Sequence, residues 1–354
     1  MRVQYRTRRL HGRAAAVAAA TAIAAATTLV GAPAQARPAR AWAAVVDDVL
    51  IVSGTNADDR ITLDFTALDS VLVDLGGTNG ARRFDRRSFH SASVKLYAGD
   101  DELRTLTGGA LADVPIAVTT GAGNDIAVTG AANDVLDGGN GGDLLLGGAG
   151  TDLVVGGNGS DFVNGGVGTD VEVLGNGKDT AAWNPGEGND TVDGGRGSDT
   201  LAFNGSDGDE RMSLSANGQR TVFLRSPGNI RMDLDGVERL DLATFGGADA
   251  VTIDDLSGTE VTAAEIDLAA TSGSPDDGAD TVQVNGSGQS DRVEVKENGG
   301  EVDVTGLAAH TSVAGAGPKD ELHINTFDGD DSVTVSDAAR ALLDIVFDLG
   351  SDQS

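Results

Sequence analysis

Aspartates recur in strict phase through residues 120–202. Written in nines, this stretch reads TGAGNDIAV, TGAANDVLD, GGNGGDLLL, GGAGTDLVV, GGNGSDFVN, GGVGTDVEV and LGNGKDTAA; after Trp183 and Asn184 come PGEGNDTVD and GGRGSDTLA. The sixth place is Asp125, Asp134, Asp143, Asp152, Asp161, Asp170, Asp179, Asp190 or Asp199, and the second place is glycine in every unit. Carboxylates stacked about 4.8 Å apart, as in neighbouring strands, repel one another strongly unless a cation lies between them. Carboxylate and main-chain carbonyl oxygens form a hard donor set, which suits Ca²⁺ best.

The elements that would position these carboxylates follow from the rest of each unit. Paired glycines permit positive φ and therefore tight turns. The first six residues of a unit are thus expected to be a turn, and the last three a very short strand whose eighth place faces inward. Leu136, Leu145, Val154, Val163, Val192 and Leu201 suit that place, Ala127 and Ala181 fill it poorly, and Glu172 breaks it. Two nines make one coil, which puts Asp125, Asp143, Asp161 and Asp179 on one edge and Asp134, Asp152 and Asp170 on the other.

The units GGNGGDLLL, GGAGTDLVV, GGNGSDFVN and GGVGTDVEV resemble the RTX, or haemolysin-type, calcium-binding nonapeptide repeats. The close match covers about a quarter of the chain. The resemblance implies a parallel β-roll, with each Ca²⁺ between successive turns and held by turn carbonyls and sixth-place aspartates. The implied ligand set is the nine aspartates together with Gly138, Gly147, Gly156 and Gly165. Ala132 and Leu174 replace glycines, Lys178 places a positive charge inside a turn, and two residues precede Pro185. Weaker or missing sites are therefore expected at units one, two and seven. A glycine-rich linker would not keep an aspartate in phase.

Residues 1–36 have the layout of a secretory signal peptide: Arg2, Arg6, Arg8, Arg9 and Arg13 precede an alanine-rich run and then Ala34-Gln35-Ala36. Cleavage is expected after Ala36, with Ala43 as a second candidate; an uncleaved anchor is the alternative. Residues 37–354 then carry 20 basic against 55 acidic residues, a formal charge of −35. That charge argues against nucleic acid as a partner. With no cysteine there are no disulfides or thiolate metal sites. Aromatic residues make up only 4% of the chain, and 51 glycines dilute any core further, so a repetitive stack in which each coil covers its neighbour is the economical solution.

The flanks, residues 37–119 and 203–354, read as wider, degenerate solenoid coils. Asp199 with Glu210, Glu238 with Asp249, Asp280 with Asp291 and Asp320 with Asp331 are each acidic pairs eleven positions apart, and Asp48 with Asp59 keeps that spacing. A repeat of about 40 residues favours a solenoid; strands about ten residues apart also suit a β-sandwich. The acids read as turn caps or as further calcium ligands. Arg82, Arg83, Arg86 and Arg87, interleaved with Phe84, Phe89 and His90, read as a lateral loop that is either solvated or grips an acidic polymer. Residues 341–349, ALLDIVFDL, read as a terminal strand whose open edge invites self-association.

No GxSxG, HExxH or cysteine nucleophile occurs, and His90, His310 and His323 are isolated. The expected architecture is all-β, a parallel β-roll or β-helix with a central calcium block. The expected function is that of a secreted, non-catalytic calcium-binding protein, structural or adhesive at the cell surface and folding on Ca²⁺. It would take about five ions at about 10⁻⁴ to 10⁻³ M each. The alternatives are a polysaccharide-lyase-like enzyme using the basic segment, or an appendage of a catalyst on another chain.

Overall fold

The computed structural model describes residues 39–77, 79–107 and 114–350; the expected signal peptide, residues 1–36, lies outside them. The elements described are strands, apart from one 3₁₀ turn, Arg86–Ser88, and one short helix, Asp337–Leu342. Two compact units divide the chain. One is residues up to Ala181 with Asp193–Gly197; the other is Ala182–Val192 with residues from Ser198 onward.

In the first unit, two mostly parallel sheets carry alternate nonapeptides. One runs through Ile116–Ala122, Val135–Asn140, Leu153–Gly159 and Val171–Gly177; the other through Ile126–Val128, Leu144–Gly150, Phe162–Gly168 and Thr180–Trp183. Register repeats at eighteen: Leu136 pairs with Val154, Val154 with Glu172, Ala127 with Leu145, and Leu145 with Val163. These eighth places are all buried, as expected of an inward-facing row. Each Leu or Val so buried contributes about 1.5–3 kcal/mol.

The strands are longer than the three residues expected. Leu144–Gly150, Leu153–Gly159, Phe162–Gly168 and Val171–Gly177 each have seven, because the turn glycines remain in the ladder. Gly139 pairs with Gly157 and Gly157 with Gly175, while the Asn158 and Asn176 amides donate to Asn140 and Asn158 at 2.9 and 2.8 Å. Glycine is required at Gly157: φ is +114°, and a Cβ would stand 2.3 Å from the Gly139 carbonyl oxygen.

Towards the start of this unit, Arg60–Asp64, Ser70–Asp74 and Ala81–Asp85 form an antiparallel trio. The basic cluster therefore lies on a paired strand and the 3₁₀ turn that follows it, not on a lateral loop. The alternation that pairs Val71 with Phe84 and Val73 with Arg82 extends the sheet through it.

The second unit also has two sheets, with parallel partners across coils of varied length. Arg211–Asn217, Ala250–Ile253, Thr281–Asn285, Glu321–Asn325 and Asp344–Asp348 pair in succession, all parallel. Thr200–Ser206, Arg239–Phe245, Ala263–Asp267 and His310–Ala314 do the same. Long-range parallel pairing is the solenoid arrangement, not that of an antiparallel sandwich. Antiparallel hairpins widen individual coils, one at Arg211–Asn217 with Arg220–Ser226 and Ile230–Asp235, the other at Arg292–Asn298 with Glu301–Thr305. Trp183, Phe203 and Phe223 fill the core as a stack, with ring centroids 4.2 and 4.3 Å apart.

Residues 341–349 are not one strand. Ser336 caps a helix by accepting the Ala339 N–H at 3.2 Å, with Asp337 in its first turn and alanines within, and only Asp344–Asp348 extends. No helix of the described residues is long and apolar enough to cross a membrane. Truncating the aromatic stack should test how the second unit is held: Trp183→Ala should lower unfolding free energy by about 3–5 kcal/mol. Urea unfolding followed by circular dichroism at fixed calcium checks this, and a loss under about 1 kcal/mol would count against it.

Candidate metal centre

The sixth-place aspartates do form two stacks, and a hydrogen bond welds each one. On one edge Asp125 N–H donates to Asp143 Oδ1 at 2.8 Å, Asp143 to Asp161 at 2.9 Å and Asp161 to Asp179 at 2.8 Å. On the other, Asp134 donates to Asp152 and Asp152 to Asp170, both at 2.7 Å. The first stack continues into the flank, where Asp59 donates to Asp101 at 2.7 Å and Asp101 to Asp125 at 2.8 Å. Asp101 was not among the expected ligands, since it lies 24 residues before Asp125, outside the nine-residue phase.

This bond uses one carboxylate oxygen only. The Oδ2 atoms of Asp101, Asp125, Asp143, Asp152 and Asp161 are buried without a hydrogen-bond partner. Beside three of them the first-place glycine leaves a small cradle. A Cβ at Gly138 would lie 2.4 Å from Asp143 Oδ2 and 2.6 Å from the Gly156 carbonyl oxygen. At Gly147 the distances are 2.6 Å to Asp152 Oδ2 and 2.7 Å to Gly165 O; at Gly156 they are 2.6 Å to Asp161 Oδ2 and 2.5 Å to Leu174 O. Such points are too tight for carbon, so only glycine leaves the carboxylate oxygen and the carbonyl oxygen open to each other, and both are the hard oxygen donors that Ca²⁺ takes. No group of three acidic or histidine side chains converges among the described residues. The donor set is one carboxylate with main-chain carbonyls, and it fits Ca²⁺.

Electrostatics agree. Burial pushes Asp143 and Asp152 up to about 7, with like charges along the stack adding to it, and Asp134 and Asp161 up to about 6, from 3.8. Glu172, which breaks the apolar row, is buried and accepts the Gly165 N–H at 2.6 Å. At Gly165 the nearest oxygen is Asp170 Oδ2, at 2.7 Å from an added Cβ.

Asp190 and Asp199 are both buried in the second unit; Asp199 N–H donates to Glu238 at 2.7 Å, and the Asp190 carbonyl accepts from Asp233 N–H at 3.0 Å. There the same ladder runs at irregular spacing, from Glu210 to Asp249 to Asp280 to Asp320, at 2.8, 2.8 and 3.0 Å. Through that oxygen the flank acids cap the backbone of the preceding coil. Asp48 joins no such stack; it lies in the exposed turn between Trp42–Val46 and Val49–Ser53. Several flank turns also satisfy the second carboxylate oxygen internally. Thr55, Ser206 and Ser287 donate backbone N–H and hydroxyl groups to Asp59, Glu210 and Asp291. At Glu210 the Arg225 guanidinium completes the turn with a buried ion pair while facing the Trp183 ring.

A parallel solenoid with rows of bare, buried carboxylate oxygens beside turn carbonyls defines a cation-binding roll. The family model of the RTX calcium-binding nonapeptide repeat matches in four copies, over residues 119–154, 137–172, 146–181 and 186–201. Residues 119–201 therefore consist of RTX calcium-binding nonapeptide repeats. Among curated proteins none matches this chain.

Two outcomes follow. Carboxylates whose folded pKa is raised from 3.8 to about 6–7 favour the calcium-free fold at low pH, and this stability is lost as pH rises through that range. Chelated protein should therefore melt at a higher temperature at pH 5 than at pH 8, with the order reversed in excess calcium, which needs the deprotonated form. The reverse order in chelator would sink this. Separately, Arg225→Met should cost about 3–5 kcal/mol by stranding buried Glu210. Denaturant unfolding checks it, with the Glu210→Gln, Arg225→Met pair regaining part of the loss.

Proposed function

We propose that the chain is an exported protein whose nonapeptide block folds on Ca²⁺ and which serves a structural or adhesive role at the cell surface. The observation that carries this reading is the row of buried carboxylate oxygens at Asp143, Asp152 and Asp161, each bare and each near a turn carbonyl beside a glycine that leaves the space open. Calcium supplies the positive charge that offsets the stack. The residues of the block supply the oxygens, fix their spacing through the aspartate ladder and exclude water by burying the sixth place. Without the ion, the like charges and an inward row thinned at Ala127 and Ala181 and broken at Glu172 leave little to offset chain entropy.

The lyase alternative needs a free base in the basic segment. Arg82 donates to the Ala43 carbonyl at 3.1 Å, Arg83 to Ser70 Oγ at 2.8 Å and Arg86 to the Phe89 carbonyl at 3.1 Å. Three of the four guanidiniums thus hold the chain together, which favours the non-catalytic reading. Export through the expected leader, and self-association through a strand edge, belong to the same proposal.

Calcium titration of residues 37–354 by circular dichroism, with magnesium as control, tests it. A cooperative gain of β signal with calcium alone is expected, displaced to higher calcium in Asp143→Ala, Asp161→Ala. Full β signal in excess chelator would refute the calcium-dependent fold.

A further inference from the structure

The first-place glycines of the open turns are not there for the backbone. Gly138, Gly147 and Gly156 do not adopt positive φ, unlike the second-place Gly139, Gly148 and Gly157. They supply room, and the room is the cradle. Two units put threonine in this place. Thr120 and Thr129 are buried, and their hydroxyls lie 2.6 and 2.7 Å from the carbonyl oxygens of Gly138 and Gly147. Each of those carbonyls is eighteen residues on from its threonine. The Gly156 carbonyl stands in the same relation to the Gly138 cradle, and the Gly165 carbonyl to that of Gly147.

We propose that the Thr120 and Thr129 hydroxyls occupy the cation's place in the first two turns, so that these turns close without metal and calcium binding begins at Gly138. This rests on the calcium reading above. A hydroxyl has one proton to donate; here it satisfies the carbonyl that a cation would otherwise take. The threonine methyl and Cβ fill the remaining volume. Asp134 Oδ2 further accepts the Gly130 N–H at 3.1 Å, whereas Asp125 Oδ2 keeps no hydrogen-bond partner. Unit one is informative because it has everything else the motif asks for, namely Gly121, Gly123 and Asp125. Thr120 is the one departure among its turn's first four residues from the GGxG of units three to six. The same substitution recurs in the second unit, where Thr244 stands five residues before the ladder acid Asp249 and is fully buried. The first two turns thereby become a calcium-independent step on which the open turns can stack.

The test counts ions on the full chain by equilibrium dialysis with radioactive calcium. Thr120→Gly should bind one more ion than the wild type, and Gly147→Thr one fewer. Thr120→Val, which keeps the volume and removes the hydroxyl, should gain no ion and should melt lower in chelator. Equal counts in wild type, Thr120→Gly and Gly147→Thr would overturn the inference. Should Gly147→Thr not fold, the count for Thr120→Gly decides alone. A wild type that binds no calcium would instead overturn the calcium reading itself, and the inference with it.

Discussion

Each coil of this protein is tied to the next by a backbone N–H that donates to one oxygen of an aspartate carboxylate one coil further on. The bond is short, 2.7–2.9 Å along the nonapeptide ladders, and buried. Its geometry has an unavoidable corollary. A carboxylate has two oxygens, and holding the first against the neighbouring coil aims the second at the inside of its own turn. A buried, unpartnered oxygen on a charged group is among the most expensive features a fold can carry. The ladder that fixes the coil spacing therefore creates a demand for positive charge or hydrogen-bond donors at every rung, and the sequence of each turn answers that demand.

The answers differ along the chain. In residues 138–164 the two leading glycines leave the oxygen bare, so compensation there comes from no side chain of the turn, and the oxygens of Asp249, Asp280 and Asp331 are bare as well. At Asp59, Glu210 and Asp291 a serine or threonine replaces the second glycine, and its N–H and hydroxyl do the work internally. At Glu210 a guanidinium adds a full charge. A covalent answer is permanent, whereas a diffusible ion makes the fold depend on the surroundings. Under the calcium-dependent fold proposed above, the glycine-led turns are the part of the molecule whose stability is set from outside.

The nonapeptide period and its two-edged stack were legible because glycine and aspartate recur at fixed places, and a nine-residue phase leaves one geometrical reading. The inward row was legible for the same reason: Leu136, Leu145, Val154 and Val163 alternate with outward neighbours. The rungs themselves were not. Nothing in a sequence says that Asp101 and Asp125 are adjacent, because the intervening coil has 24 residues and no fixed period. The basic segment was misplaced because its arginines obscure the alternation that pairs Val71 with Phe84. The terminal helix was missed because its signal is local: Ser336 with Asp337 outweighs the apolar run that follows. Thr120 escaped notice because threonine is an unremarkable strand residue, and only the position of its hydroxyl against the Gly138 carbonyl gives it meaning.

The distribution of apolar mass follows the same logic. Stacked rings occur among Trp183, Phe203 and Phe223, all in the second unit, where coils are widened by hairpins. The eighth places of the nonapeptides hold no comparable residue; most are a single Leu or Val, Ala127 and Ala181 are small, and Glu172 is charged. A coil with so little to bury cannot offset its conformational entropy through the hydrophobic effect alone. On the proposed calcium-dependent fold, a larger core would let the block fold without the ion and remove that dependence. The small core and the bare oxygen then become one design constraint seen twice: each is tolerable only where the other makes binding and folding the same event.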